Sequence, residues 1–206
     1  MQAITDLIMY FHKGGLVMWP LLACSITVIA IAIERFIYYK SVDSGAAFAS
    51  HYCAAVRSGD FAVATELARK GSGQCAQMLA DVEAVAGGKA EKSAFLESRA
   101  GIFMATLRDK LDYLGIIVTM SPLLGLLGTI VGMIGAFSIF NVEAGAPMAI
   151  TGGIGEALIA TATGLCVAIL SLCAHSYFAH RVDNMITDME QCFSALLEAE
   201  TRRARS

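Results

Sequence analysis

Residues 147–174 read PMAITGGIGEALIATATGLCVAILSLCA, 28 residues that carry one charge, Glu156. A helix of about 20 apolar residues crosses the ~30 Å hydrocarbon layer of a bilayer. Inside lipid every backbone N–H and C=O must be satisfied within the chain, so such a block is read as a helix. Working outward, two further blocks have the same character. Residues 114–140 (LGIIVTMSPLLGLLGTIVGMIGAFSIF) and residues 14–33 (GGLVMWPLLACSITVIAIAI) carry no charge at all. Buried helices of a soluble core would need apolar partners that the rest of the chain lacks. The expected fold is therefore an all-α membrane protein with three transmembrane helices.

The composition agrees. The chain has 206 residues, of which 56% are apolar and 16% charged. Soluble domains run near 45–50% apolar and about 25% charged. A mean hydropathy of +0.62 and a pI near 5.8 speak against a nucleic-acid partner. The segment before the first block has one Lys and one Asp, and no small-residue cleavage site follows the block, so it reads as a span and not a signal peptide. Glu34-Arg35, Phe36, Tyr38 and Tyr39 read as a charged, aromatic membrane boundary.

Lys and Arg set the expected topology. Lys13 is alone in the N-terminal stretch, 141–146 has none, 40–112 holds nine, and the tail after Ala174 holds four. The positive-inside rule then places the N-terminus outside, and the middle segment and the tail in the cytoplasm. The division is an outer N-terminus with the first span (1–39), a cytoplasmic helical loop (40–113), the second span (114–140), an outer link (141–146), the third span (147–175) and a cytoplasmic C-terminal helix (176–206).

The loop reads as helical: about Asp43–Arg57, Asp60–Lys70 and Gln74–Ala86, with breaks at Gly71-Ser72-Gly73 and Gly87-Gly88. From Lys89 no breaker intervenes before the membrane, which predicts one long helix to Phe140. Leu96, Ala100, Phe103, Leu107, Leu111 and Leu114 recur every three or four residues, as do Phe178, Val182, Met185, Met189, Phe193 and Leu196. These are amphipathic stripes that need cover, within the chain or from other copies of it. The six cysteines show no CxxC or zinc spacing and are read as structural. His175 and His180 are read as interfacial residues. No cofactor or metal is expected. An enzyme is disfavoured, since no nucleophile–base set or phosphate loop is visible; Gly152-Gly153-Ile154-Gly155 lacks the preceding strand and the lysine of such a loop.

Function is sought in the spans. In the second, Ser121, Gly125, Gly128, Gly132 and Gly135 fall at steps of four and three, one face of small residues on which another helix can pack closely. Ala157, Thr161, Gly164, Ala168 and Ser171 make a similar face on the third. Pro122 cannot donate an N–H and is expected to loosen or kink the second span. Glu156 lies about 13 Å past the outer end of its helix at 1.5 Å per residue. A charge there costs about 2.5–3.5 kcal/mol on insertion scales, so the residue is expected to face protein or a wet cavity. Desolvation disfavours the ionised form of any carboxyl, which makes proton exchange the expected chemistry. Thr129, Thr161 and Thr163 add hydroxyls that can pass a proton-bearing hydrogen bond or hold a water. Thr161 is about 140° around the helix from Glu156, so the two address different neighbours.

Residues 121–134 (SPLLGLLGTIVGMI) strongly resemble the PLLGLLGTV-GMI signature of the ExbB/TolQ/MotA proton-channel family, and residues 155–165 (GEALIATATGL) its EAL-ATA-GL segment. Residues 14–21 (GGLVMWPL), with Glu34-Arg35 closing the helix, are similar to the ExbB start. The resemblance spans all three blocks, their order and the loop. It implies a pentamer of this chain around a dimer of a single-span, ExbD-like partner whose membrane Asp shuttles the proton. It also implies a place in the bacterial inner membrane with a periplasmic N-terminus, and proton-motive force turned into mechanical work for TonB-dependent outer-membrane transport. By the same match Glu156 is the family's intramembrane Glu, and Thr129 and Thr161 its pore-lining threonines; Thr163 stands where relatives often carry an aliphatic residue. MotA-type stator subunits generally lack this Glu and have a larger cytoplasmic domain. A TolQ-like subunit of the Tol-Pal system, a MotA-like stator subunit and a passive membrane scaffold are the other readings. A solute transporter, normally built of internal repeats, fits three unlike spans poorly.

Overall fold

Each helix begins and ends where its sequence lets the backbone be satisfied. The computed structural model describes residues 14–142 and 147–203. Among these there are seven helices: α1 (Met18–Val42), α2 (Ala46–Ser58), α3 (Phe61–Lys70), α4 (Gln74–Glu83), α5 (Lys89–Arg108), α6 (Leu111–Val142) and α7 (Pro147–Arg203). Pro20 lies in the first turn of α1, where a missing N–H forfeits no helical bond. Gly59 closes α2 at φ +83, and the Asp60 N–H returns to Ala55 O at 3.0 Å. Asp60 then caps α3, its carboxylate accepting from the Val63 N–H at 3.2 Å. Glu91 reaches back to accept from the Gly88 N–H at 2.9 Å where α5 starts.

One expectation is corrected. The stretch from Lys89 to Phe140 is two helices, parted by a turn at Asp109-Lys110. Aspartate is a poor helix-interior residue, and Lys110 is drawn to Glu34 at 3.0 Å. Further on, α6 continues through Pro122. The predicted N-terminal stretch 1–13 and the link residues 143–146 lie outside the described residues.

The chain forms two units. The first comprises residues up to Ile33 with Leu111–Ser176; the second comprises Glu34–Lys110 with Tyr177–Ser206. In the first, large apolar side chains point outward: Leu22, Ile26 and Ile29 on α1, Leu123, Leu126 and Ile130 on α6, Leu158, Leu165 and Ile169 on α7. Its interior is made of Val17, Met18 and Leu21 against Leu124, and of small residues between α6 and α7. Leu114, Ser121 and Ser171 are fully enclosed there. Such an inside-out distribution suits a hydrocarbon surround and not water. Among the described residues three helices are long and apolar enough to cross a membrane.

The second unit has a core of the ordinary soluble kind. Both amphipathic stripes are covered within the chain: Leu96, Ala100, Phe103 and Leu107 are buried, as are Phe178, Val182, Met185, Met189, Phe193 and Leu196. Tyr39 is 2% exposed; its hydroxyl donates to Leu107 O at 2.7 Å, and its ring meets Phe178 edge-on at 5.7 Å. Arg35 is buried beside it. It bridges Glu34 at 2.8 Å, donates to Thr106 O at 3.1 Å and lies 4.8 Å from the centre of the Tyr38 ring. Lys92 pairs with Glu200 at 2.9 Å.

Candidate functional site

The site is assembled from the α6–α7 seam upward. Small residues let the two backbones approach. A methyl group on Gly128 would lie 2.5 Å from Ala160 Cβ, one on Gly132 3.2 Å from Ala157 Cβ, and one on Gly125 3.1 Å from Thr161 Cα. From the other side, Cβ atoms on Gly153 and Gly164 would meet Ala136 Cβ at 2.5 Å and Ser121 O at 2.6 Å. Gly125, Gly128 and Gly132 of the expected small face therefore do meet α7. Gly135 does not: among the described residues nothing lies within 4 Å of a Cβ placed there, and among them the seam leaves the face after Gly132. Its continuation is carried by Ala136 and Gly153.

Hydroxyls tie the seam. Thr161 Oγ1 donates across it to Gly125 O at 3.0 Å, and Ser171 Oγ to Leu114 O at 3.0 Å. Ser121, facing Gly164, is fully buried, and its hydroxyl has no partner among the described residues. Thr129 and Thr163 bond back to their own helices, at Leu126 O (2.6 Å) and Ile159 O (2.8 Å). The three expected threonines thus each donate to a backbone carbonyl and keep their acceptor lone pairs. No bond joins them to one another or to Glu156 among the described residues.

Glu156 is half-buried on α7. Its carboxyl lies on the backbone of Gly15, in the turn that leads into α1; a Cβ on Gly15 would overlap Glu156 Oε1 and lie 3.1 Å from Cδ. Thr161, on another side of α7, faces α6, as the angular separation required. Among the described residues none hydrogen-bonds to the Glu156 carboxyl. Gly15 is the neighbour that sequence reading missed; its only signal was the Gly14-Gly15 pair ahead of the first apolar block.

In the second unit Cys53, Cys75 and Cys192, from three different helices, are buried together, with Cys192 Sγ 3.9 Å from Ala49 O. Burial, with Cys192 alongside, pushes the Cys53 thiol up to about 11. The Cys192 thiol is raised as well, by its Cys75 neighbour and by burial. Both stay neutral thiols, inert as buried cysteines are. No group of His, Cys, Asp and Glu among the described residues is arranged to hold a metal ion.

Three apolar helices packed through glycine, one of them carrying a half-buried acid, define a multi-pass helical membrane protein. The MotA/TolQ/ExbB proton channel family model matches residues 72–191, which include the seam and Glu156, and the chain belongs to that family. It is 34% identical over 170 residues to a Synechocystis protein named ExbB-like 1, covering 79% of this chain and 66% of that protein. It is 27% identical over 183 residues to the biopolymer transport protein exbB1 of Vibrio cholerae, covering 85% and 80%. The Tol-Pal system protein TolQ of Haemophilus influenzae is 33% identical over 84 residues, 40% of this chain and 37% of that one. The chain thus spans slightly under two thirds of the first of these relatives.

Proposed function

We propose that this chain is the ring-forming subunit of a proton-driven complex in the bacterial inner membrane, ExbB-like, and a channel component and not an enzyme. In this reading five copies enclose a dimer of a single-span, ExbD-like subunit. A TonB-like protein carries the resulting motion or strain to an outer-membrane transporter. The N-terminus is periplasmic; the loop unit and the C-terminal helix are cytoplasmic, where the excess of Lys and Arg belongs.

The observation that carries the reading is Glu156, a half-buried carboxyl with no hydrogen-bond partner among the described residues, on a helix that is otherwise lipid-compatible. Protons load the partner's membrane carboxylate beside Glu156, Thr129, Thr161 and Thr163 and leave on the cytoplasmic side. Neutralising a carboxylate removes the cost of moving it past apolar walls. One charge crossing 100 mV releases about 2.3 kcal/mol, so a few protons suffice to rearrange a helix interface. Pro122, Gly125, Gly128 and Gly132 supply the close packing that such a ring needs.

The TolQ match supports a second reading, a Tol-Pal subunit, with the same proton chemistry and a different envelope task. The test of the shared chemistry is Glu156→Gln in the full chain, co-expressed with its single-span partner, with assembly checked by size. Proton-driven transport should fall to background while the complex stays intact. Unimpaired transport would reduce the chain to a scaffold.

A further inference from the structure

The contact between Glu156 and Gly15 lies partly outside the family match, which begins at residue 72. Gly15 has φ +73, a conformation that L side chains rarely adopt. Gly45 and Gly59 also have positive φ, +81 and +83, but a Cβ on either meets nothing within 4 Å among the described residues. At those two turns glycine answers a backbone demand alone. At Gly15 a second demand is added, because the Glu156 carboxyl fills the space a side chain would take. Gly14 repeats the theme: a Cβ there would lie 2.5 Å from Met18 Cγ and 3.3 Å from Ile159 Cγ2. Two successive glycines thus let the turn lie flat on the α7 stretch that carries Glu156 and Ile159.

That turn cannot easily retreat. The Met18 N–H bonds Gly15 O at 3.2 Å, and the Trp19 N–H bonds Leu16 O at 3.3 Å. Just beyond, Val17, Met18 and Leu21 are buried against Leu124. The carboxyl therefore rests on a backbone wall anchored in the core of the membrane unit.

Resting on the function proposed above, we infer that Gly15 is a positioning residue for Glu156: its bare backbone sets where the carboxyl sits and leaves it room to take up and release its proton. A methyl at Gly15 must displace the carboxyl. Misplacing a reacting group by about 1 Å costs up to about 100-fold in rate.

The experiment uses the full chain in its assembled complex with four variants and one double: Gly15→Ala, Glu156→Asp, Gly15→Ala with Glu156→Asp, and Gly45→Ala and Gly59→Ala as gauges of backbone strain. Melting of the complex and proton-driven transport are both read. Gly15→Ala should lower the melting temperature by more than either gauge variant, and lower transport at least about tenfold. Glu156→Asp shortens the acid by one methylene, about 1.5 Å of reach. It should suppress Gly15→Ala, so that the double melts above Gly15→Ala alone and transports as well as Glu156→Asp alone. If Glu156→Asp itself transports poorly, the melting comparison decides. The inference fails if Gly15→Ala behaves like the gauge variants, or if the shorter acid gives no suppression. Should Glu156→Gln leave transport intact, the functional reading fails while the melting cycle still reports on the contact.

Discussion

Gly164→Ala tests the α6–α7 seam most sharply. The added Cβ would stand 2.6 Å from Ser121 O, 3.0 Å from Gly125 Cα and 3.2 Å from Gly125 N. All three are backbone atoms, so no side chain can swing aside. Ordinary contact begins near 3.4 Å, so the helices must part locally by about 0.8 Å. Thr161 Oγ1···Gly125 O, now 3.0 Å, would stretch past bonding range. Overpacking of this kind costs about 1–3 kcal/mol. An interhelical hydrogen bond in a membrane protein adds ~0.6 kcal/mol. Alanine's better helix propensity returns about 0.8 kcal/mol. The net loss is about 1–3 kcal/mol, which corresponds to a melting point lower by roughly 3–10 °C for a chain of this size. Thermal unfolding of the detergent-solubilised protein, followed by circular dichroism, measures it. Gly135→Ala on the same face is the matched control and should melt within about 2 °C of the native chain. If Gly164→Ala melts with the native protein, or Gly135→Ala falls as far, the described packing is wrong.

Tyr39→Phe removes a buried hydroxyl from Leu107 O and should cost the second unit about 1–2 kcal/mol in denaturant unfolding; an unchanged midpoint would deny that bond its role. Ser171→Ala should cost the seam ~0.6 kcal/mol and at most about 1.7. A shift beyond that range, in melting of the solubilised chain, would mean that Ser171 does more than bond Leu114 O. The thiol group in the second unit makes it alkali-sensitive. Cys53 is pushed from 9.0 up to about 11, and the Tyr52 phenol is raised by burial and by the neighbouring thiols. An acid whose folded value is raised contributes stability below its unfolded value and loses it as pH climbs to the folded one. Denaturation midpoints should therefore hold to about pH 9 and fall towards pH 11. A midpoint flat across that range would place these groups in water.

Periodicity and charge were enough for the membrane reading, because lipid admits few backbone solutions. A long uncharged apolar block has to become a helix, and a stripe recurring every three or four residues has to be covered. Leu96 through Leu107 and Phe178 through Leu196 are buried as their spacing required. The turn at Asp109-Lys110 escaped the reading because no glycine or proline marks it. At the turn Lys110 pairs with Glu34, far away in the chain, a partner that no local pattern announces.

Apart from the break ahead of Leu111, which helices exist and which of their faces are apolar followed from local rules of hydration and backbone bonding. Which faces meet did not. Gly125, Gly128, Gly132 and Gly135 are equivalent by spacing, yet among the described residues only the first three find α7 across the gap. Thr161 is one polar residue among several until Gly125 O accepts its proton. Gly15 and Glu156 are 141 positions apart and are neighbours in the fold, where Val17, Met18 and Leu21 lodge beside Leu124. Spacing along a chain orders residues around one axis; contact between axes is set by how side-chain volumes fit once the helices close, and that is a property of the packed molecule alone.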